Sequence, residues 1–180
     1  MKFIETDKVY LRNLQPSDIN DIYDYRNNEN CYKYQRWDAL TEDAITAYIQ
    51  KFKKDVFLST KSEQHFAICK KDDLLIGELA YFFNEEDNCI TLGITISYKH
   101  QKNGHAFEIL SEVIQQIQNT YPTIDIVGLI DKNNFKSRNL FEKLGFEQEC
   151  YAEPISSYIY TLMEERQMIR TDNSRKTHLI

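Results

Sequence analysis

The sequence predicts a fold of the α+β class, in which helices pack on a mixed β-sheet. The spacing of apolar residues changes along the 180-residue chain between the period of a helix and that of a strand. Residues 90–130 also predict a strand, a helix and a second strand in that order. In such a unit the two strands pair in parallel, and the crossover between them is right-handed. A chain of this length fits one domain, which we expect at 1–164, followed by a polar C-terminal tail at 165–180.

The first third of the chain predicts one strand and two helices. Residues 9–14 alternate apolar and polar side chains, as a half-buried strand does. A helix is expected to begin at Pro16-Ser17-Asp18, with Ser17 as its N-cap, and to end at 27–30. A second helix is expected to begin at Thr41-Glu42-Asp43 and to run to about Phe57.

The rest of the chain is richer in strands. The expected elements are, in order, strands at 65–70, 74–83 and 90–98, a helix from about 104 to 117, a strand at 124–130, a helix at 135–144, and a hairpin of strands at 146–151 and 157–164. Residues 124–130 are nearly all apolar, as a strand buried on both faces is. Gly93 is expected to mark a bulge in the strand at 90–98.

Composition and charge exclude several classes of protein. Five glycines and three prolines exclude collagen-like and Pro-rich disordered chains. The net charge of −6 argues against a nucleic-acid partner, and no run approaches the 18 apolar residues of a membrane span. The four cysteines lack the spacing of metal ligands, so no metal is expected. Because the N-terminus also lacks the apolar run of a signal peptide, we expect a cytoplasmic protein, either monomer or homodimer.

One run lies where a strand gives way to a helix: Gln101-Lys102-Asn103-Gly104-His105-Ala106. The first amides of a helix have no partner within the helix and carry the positive end of its dipole. A glycine there lets an anion approach the backbone. The run is therefore a candidate site for a phosphate or pyrophosphate, although it is also compatible with a plain strand–helix junction.

This run resembles the Q/R-x-x-G-x-G/A motif of the GCN5-related N-acetyltransferase (GNAT) superfamily. Residues 134–146 are similar to the N-x-x-S-x-x-L-[YF]-x-K-L-G-F helix of that family, and residues 9–18 to its opening strand. The resemblance covers about residues 8–164, and the layout is most similar to the ribosomal-protein N-terminal acetyltransferase-like branch. It implies a three-layer fold: a mixed sheet of six or seven strands, splayed at a central parallel pair, with helices on both faces.

The resemblance implies acetyl-CoA as co-substrate, bound where the strands at 90–98 and 124–130 splay apart. Backbone groups near Ile96 and Tyr98 would bind the pantetheine arm, and amides from Gln101 through Ala106 the pyrophosphate. The residues implied for this site are Ile96, Tyr98, Gln101, Lys102, Asn103, Gly104, His105, Ala106, Asn134, Ser137 and Phe141. Lys102 and His105 are equally compatible with solvated loop positions, and Asn134 with a plain N-cap.

The resemblance also implies direct acetyl transfer through a tetrahedral intermediate to a primary amine, on a small molecule or a protein N-terminus. The chain departs from the family where many members carry a proton-donating Tyr, because it has Phe141 there. Ser137 is expected to take over as proton donor, unless it bonds its own helix backbone, and a water molecule or another tyrosine is the alternative. Thr91 replaces the Glu of many members, so Glu78 is expected to be the base, unless it faces solvent.

Weaker candidates and alternatives remain open at this point. Glu153 is a second candidate for the base, and Tyr158 and Tyr160 for the proton donor. The loop at 34–38 is expected to form a wall of the acceptor site, with Trp37 either in that wall or in the core. A non-catalytic CoA-binding or interaction module on the same fold, and an unrelated α/β phosphate binder, are the alternatives to an enzyme.

Overall fold

The computed structural model describes residues 1–35, 37, 39–61 and 63–162. The strands are β1 (Lys2–Glu5), β2 (Val9–Asn13), β3 (Gln64–Lys70), β4 (Leu75–Asn84), β5 (Cys89–Ile96), β6 (Asp125–Asp131), β7 (Phe146–Ala152) and β8 (Ser157–Leu162). The helices are α1 (Ile19–Arg26), α2 (Glu29–Tyr32), α3 (Glu42–Phe52), α4 (His105–Thr120) and α5 (Phe135–Lys143), with 3₁₀ turns at Pro16–Asp18 and Glu153–Ile155. None of the helices in these ranges is long and apolar enough to cross a membrane.

In the described residues, eight strands form one mixed sheet that opens in its middle. The predicted number of six or seven strands is wrong, because β1 adds a further strand beside β2. The order of the strands is β1-β2-β3-β4-β5-β6-β8-β7, and the parallel neighbours are β5 and β6. These two strands pair from Cys89 opposite Asp125 to Leu92 opposite Gly128. Beyond that point β5 continues beside β4, and β6 continues beside β8. The two strands therefore diverge, which confirms the predicted splay at a central parallel pair.

Two hydrophobic cores lie on the two faces of the sheet, because successive side chains of a strand point to opposite faces. On one face, α4 contributes a stripe of buried residues that includes Ile109, Val113 and Ile117, and α5 contributes Phe141. On the other face, α1 and α3 bury Ile22 and Ile45 among their neighbours. The predicted three layers, with helices on both faces, are confirmed.

Several expected boundaries are wrong for local reasons. Ser17 is not an N-cap, because it lies inside the 3₁₀ turn that precedes α1. The carboxylate of Asp18 is the group that receives an N–H there, from Gln15 at 2.8 Å. The helix α3 ends at Phe52 rather than Phe57.

Two elements were not predicted, and one expected bulge is absent. β1 precedes the first predicted strand, and α2 forms in the Asn-rich segment 27–30, where Asn28 accepts the N–H of Asn30. Gly93 pairs with Ala80 in a ladder that runs without a shift along the described length of β4 and β5. The predicted tail at 165–180 lies outside the described residues, as do Arg36 and Asp38 of the loop at 34–38.

Candidate active site

A cleft of about 910 Å³ opens where β5 and β6 diverge. One wall is the end of β5 together with the loop at 97–104 and the first turn of α4. The opposite wall is the loop after β6 and the first two turns of α5, and α2 with the residues after it closes one side. Of the residues predicted from the sequence, Ile96, Gln101, Lys102, Gly104, His105, Ala106, Asn134 and Ser137 line this cleft.

The β5–α4 loop, residues 97–104, has the backbone of an anion-binding turn. Lys102 and Gly104 both have positive φ, at 66° and 81°, and Gly104 directly precedes α4. Left-handed backbone next to ordinary backbone turns successive N–H groups toward one point, which makes a concave anion site. From Gln101 to Phe107, no backbone N–H donates a hydrogen bond to any other described group of the protein. These donors are therefore free to bind a ligand at the positive end of the α4 dipole.

The cleft is positively charged although the whole chain has a net charge of −6. The lysines that line it are Lys33, Lys102, Lys136 and Lys143. Among its described lining residues there is no Asp or Glu. A site of this charge attracts anions and repels polycations.

Gln101 connects the two walls of the cleft. Its Nε2 donates to the Ile96 carbonyl oxygen at 3.0 Å, and its Oε1 accepts from Lys136 Nζ at 3.2 Å. The thiol of Cys31 also reaches the Ile96 carbonyl, at 3.7 Å, and burial raises the pKa of that thiol. The last carbonyl of β5 is thus held by side chains from the loop and from α2.

Asn134 and Ser137 begin α5 at the cleft. Asn134 Oδ1 accepts the amide of Ser137 at 3.2 Å, so Asn134 is the N-cap of the helix and also lines the cleft. The Ser137 hydroxyl has no hydrogen-bond partner among the described residues, and the expected alternative, a bond to its own helix backbone, is absent there. It is therefore available to a ligand.

A smaller space of about 50 Å³, which we call the inner chamber, lies at the point of divergence of the strands. Residues 92–94 of β5 and 129–131 of β6 form its sides, and Tyr34, Gln35, Asn134, Ser137 and Phe141 complete it. Gln35 Nε2 donates to Thr95 Oγ1 at 3.1 Å, which fixes the loop after α2 over β5. Phe141 is 3% exposed and packs edge-on against Phe146, with ring centroids 4.8 Å apart.

Glu78 lies in neither space but in a buried cluster on β4. Arg26 Nε donates to its Oε2 at 2.8 Å and Arg26 Nη2 to its Oε1 at 3.1 Å. The hydroxyls of Tyr48 (2.5 Å) and Tyr25 also donate to this carboxylate. Burial opposes its ionisation, but attraction and hydrogen bonds from Arg26 outweigh burial and hold the pKa of Glu78 below its ordinary value. The expected alternative of a solvent-facing carboxylate is wrong, since Glu78 is 4% exposed.

The Glu78 cluster anchors the loop that follows α2. The Arg26 guanidinium lies over the rings of Trp37 and Tyr48, at 4.5 and 4.1 Å from their centroids. Trp37 Nε1 donates to the Arg26 carbonyl at 3.3 Å, so Trp37 packs on the cluster rather than lining either space. The ion pair therefore holds the loop that carries Tyr34 and Gln35.

Two residues implied for cofactor binding have side chains that turn away from the cleft. The Tyr98 hydroxyl donates to Asp24 Oδ1 at 3.3 Å, and Asn103 Nδ2 donates to the His100 carbonyl at 3.2 Å. His105 does line the cleft, and burial lowers its pKa. Neither Tyr98 nor Asn103 lines the cleft, and binding of a ligand by their backbone groups stays a prediction.

The weaker candidates lie apart from both spaces. Glu153 is exposed in the 3₁₀ turn before β8. The Tyr160 hydroxyl is occupied by Arg138, Glu142 and Gln148, and the Tyr158 ring packs edge-to-face against Tyr151. Sequence reasoning missed Cys31 and Lys33, because it took 27–30 as the end of a helix. The capping Asn28 was the available signal for α2.

Comparison with known proteins identifies the family. Residues 8–147 match the model of the acetyltransferase (GNAT) domain. The chain is 26% identical over 162 residues to the ribosomal protein uS5-alanine N-acetyltransferase of Escherichia coli, with 83% of this chain and 80% of that protein covered. A GNAT-family acetyltransferase structure from Bacillus anthracis matches with a TM-score of 0.78 at 17% identity, over 92% of this chain and 99% of that chain. Spermidine N-acetyltransferase from Vibrio cholerae, in complex with CoA and spermine, matches with a TM-score of 0.67 at 19% identity, over 87% and 94%.

These matches confirm the family that the two sequence motifs indicated, together with the α+β fold class. The matched region contains the sheet, the splay, the β5–α4 loop and α5. It also confirms the expectation of an enzyme, since the domain is that of an acetyltransferase. The chain belongs to the GNAT family of acetyltransferases.

Proposed function

We propose that the protein transfers an acetyl group from acetyl-CoA to the primary amine of an acceptor, and that the acceptor is a peptide or protein N-terminus. The observation that carries the proposal is the cleft itself. A lysine-lined space ends at the free amides of the β5–α4 loop and continues between two diverging strands. This arrangement suits a long ligand with a phosphorylated end and a strand-like arm.

The residues of the cleft fit acetyl-CoA in three ways. The amides from Gln101 through Ala106, beside Lys102 and Gly104, would hold the pyrophosphate. Beyond Leu92, the backbone of β5 no longer pairs with β6, so its unpaired groups would hold the amides of the pantetheine arm. The Ile96 carbonyl itself is already bonded to Gln101 and Cys31. Asn134 and Ser137 would face the thiol end. Acetyl-CoA supplies a thioester, whose acyl carbon is attacked by an unprotonated amine.

The acceptor amine must lose a proton before it attacks. An α-amine has a pKa of about 7.7–8.0, whereas a lysine-like amine has a pKa of about 10.4. Because the described lining of the main cleft has no carboxylate, an α-amine suits it better than a polyamine does. Asp131 lines the inner chamber, with one oxygen accepting the amide of Asn133 at 2.8 Å. The name of the E. coli relative, an alanine N-acetyltransferase of a ribosomal protein, supports the same class of acceptor.

The leaving thiolate needs a proton, and Phe141 has none to donate. Among the described residues that line the inner chamber, Ser137 and Tyr34 carry hydroxyl groups. We assign proton donation to Ser137, whose hydroxyl is unpartnered among the described residues, with Tyr34 as the alternative. Glu78 as general base stays a prediction, and its four donors support a positioning role instead.

A thiol-release assay tests the function. Purified protein and acetyl-CoA are mixed with peptides of different N-termini, polyamines, aminoglycosides and amino acids, and free CoA is followed. We expect turnover with N-terminal peptides and little with polyamines. Acetyl-CoA binding in calorimetry without turnover on any acceptor class would favour a non-catalytic CoA-binding module, and no binding would contradict both.

Two substitutions test the proton donor. Ser137→Ala should lower kcat by about 10²-fold, in the range of general acid catalysis, with little change in acetyl-CoA affinity. Tyr34→Phe tests the alternative hydroxyl in the same assay. Ser111→Ala is the matched control, since this residue on α4 bonds the Phe107 carbonyl and does not line the cleft. A kcat that Ser137→Ala leaves unchanged and Tyr34→Phe lowers would move the role to Tyr34.

A further inference from the structure

The inner chamber is a continuation of the main cleft. In the part of the chain that the structure describes, five residues line both spaces: Tyr34, Gln35, Ile94, Asn134 and Ser137. If acetyl-CoA occupies the cleft as proposed above, its thioester lies at this junction and its acyl group points onward into the chamber. The inference below therefore rests on the proposed function.

The chamber ends on one aromatic ring. A Cβ atom placed on Gly128 would lie 2.3 Å from Phe141 Cε1 and 2.6 Å from Cδ1. The Phe141 ring thus occupies the space that any other side chain at 128 would fill. On another side the ring packs against Phe146, with centroids 4.8 Å apart. Phe141 is therefore held between β6 and β7 and cannot retreat from the chamber without repacking the core.

The sides of the chamber are equally fixed. Residues 92–94 of β5 stay in register with β4, where Gly93 lies opposite Ala80. Residues 129–131 of β6 stay in register with β8, where Ile130 lies opposite Tyr158. Protein interiors are packed as densely as organic crystals, so widening the chamber requires displacement of paired strands.

We propose that Phe141, seated on Gly128, sets the longest acyl chain that the enzyme takes from a CoA thioester, with the acyl group directed into the inner chamber. The cavity volume of the chamber is about 50 Å³, against about 910 Å³ for the main cleft. Because its sides and floor are held by the sheet and by the core, each added methylene should fit less well than the one before it.

Binding of CoA thioesters tests this limit without knowledge of the acceptor. Calorimetry with CoA, acetyl-CoA, propionyl-CoA, butyryl-CoA and hexanoyl-CoA gives the affinity for each chain length. We expect acetyl-CoA and propionyl-CoA to bind about as well as CoA. Butyryl-CoA and hexanoyl-CoA should bind at least about tenfold more weakly, the lower end of what one misfitting methylene costs.

Variants of the chamber floor should move the limit in both directions. Phe141→Leu shortens the floor residue and should restore butyryl-CoA affinity to within about threefold of acetyl-CoA, since a misfit of one methylene is then relieved. Gly128→Ala should push the ring into the chamber and weaken acetyl-CoA relative to CoA. Phe82→Leu is the matched control, because Phe82 is an exposed side chain on β4 that lines neither space. Its chain-length profile should equal that of the wild type.

The outcomes separate the two proposals. Wild-type protein that binds no CoA species contradicts the proposed function itself. Wild-type protein that binds CoA and every thioester equally contradicts the acyl limit alone. A Phe141→Leu variant that is folded by circular dichroism and keeps the wild-type chain-length profile also overturns the assignment of Phe141.

Discussion

Replacement of Glu78 by Gln is the perturbation that separates positioning from base catalysis. The change removes the negative charge but keeps the size of the side chain. It leaves Arg26, which is 5% exposed, buried without its partner. Loss of one member of a buried ion pair costs about 3–5 kcal/mol. For a domain of this size, that cost corresponds to a fall in Tm of about 6–20 °C.

The pH dependence of the free energy of unfolding is a second measurement on the same variant. Because the folded pKa of Glu78 lies below its ordinary 4.5, the ionised side chain stabilises the fold above that pH. This contribution is lost as the pH falls through the lower, folded pKa. In Glu78→Gln, the free energy of unfolding should therefore depend less on pH in the acid range below about pH 5 than in the wild type.

The assay is urea unfolding followed by circular dichroism from pH 3 to pH 8, together with kcat and KM. Glu149→Gln makes the same chemical change at an exposed position on β7 and should leave stability unchanged. We expect Glu78→Gln to raise the KM of the acceptor, because the cluster holds the loop of Tyr34 and Gln35. The contrary result is a Glu78→Gln variant whose stability is unchanged, whose kcat is lowered by about 10²-fold, and whose pH profile of kcat has no acid limb. That result would refute the positioning role and assign Glu78 as the base.

Three further predictions concern the cofactor side of the cleft. Gly104→Trp should abolish acetyl-CoA binding in calorimetry, because the indole fills the space where the pyrophosphate would lie. The fold should persist, since left-handed backbone at position 104 costs a non-glycine residue only about 1–2 kcal/mol. Unchanged affinity would show that the pyrophosphate lies elsewhere. Gln101→Ala should weaken acetyl-CoA severalfold with little change in Tm, and Gln101→Glu, which keeps an acceptor for Lys136 but loses the donor to Ile96, separates the two contacts. Acetyl-CoA affinity should fall with rising ionic strength and the affinity of S-acetylpantetheine, which has no phosphate, should not; parallel salt slopes would contradict a role for the lysines of the cleft.

The sequence predicts the main elements because their apolar periodicity is strong. The strand at 65–70 and the helix at 135–144 agree with β3 and α5 to within one residue at each end. β1 and α2 have four residues each, too few to show a period. They depend on tertiary partners: β1 on its pairing with β2, and α2 on the Cys31 contact with Ile96.

The site divides in the same way between local and distant contacts. Gly104 and its loop can be identified from the sequence, because backbone conformation and helix start are local properties. The surroundings of Glu78 cannot, because Arg26, Tyr25 and Tyr48 lie 52, 53 and 30 residues away from it. The floor of the inner chamber likewise depends on one close approach, between Gly128 and Phe141 on different elements.

The divergence of β5 and β6 has a consequence for the ligand-free enzyme. It places two open strand edges inside the protein, where most sheets have none. A ligand arm that bonds to these edges acts as an additional strand and completes the sheet. Ligand binding is then also a contribution to folding, and at a concentration of 100 times Kd it stabilises the native state by about 2.7 kcal/mol. Amide hydrogen exchange at 93–96 should therefore slow when acetyl-CoA is added, and the enzyme should be at its most vulnerable to unfolding when its co-substrate is scarce.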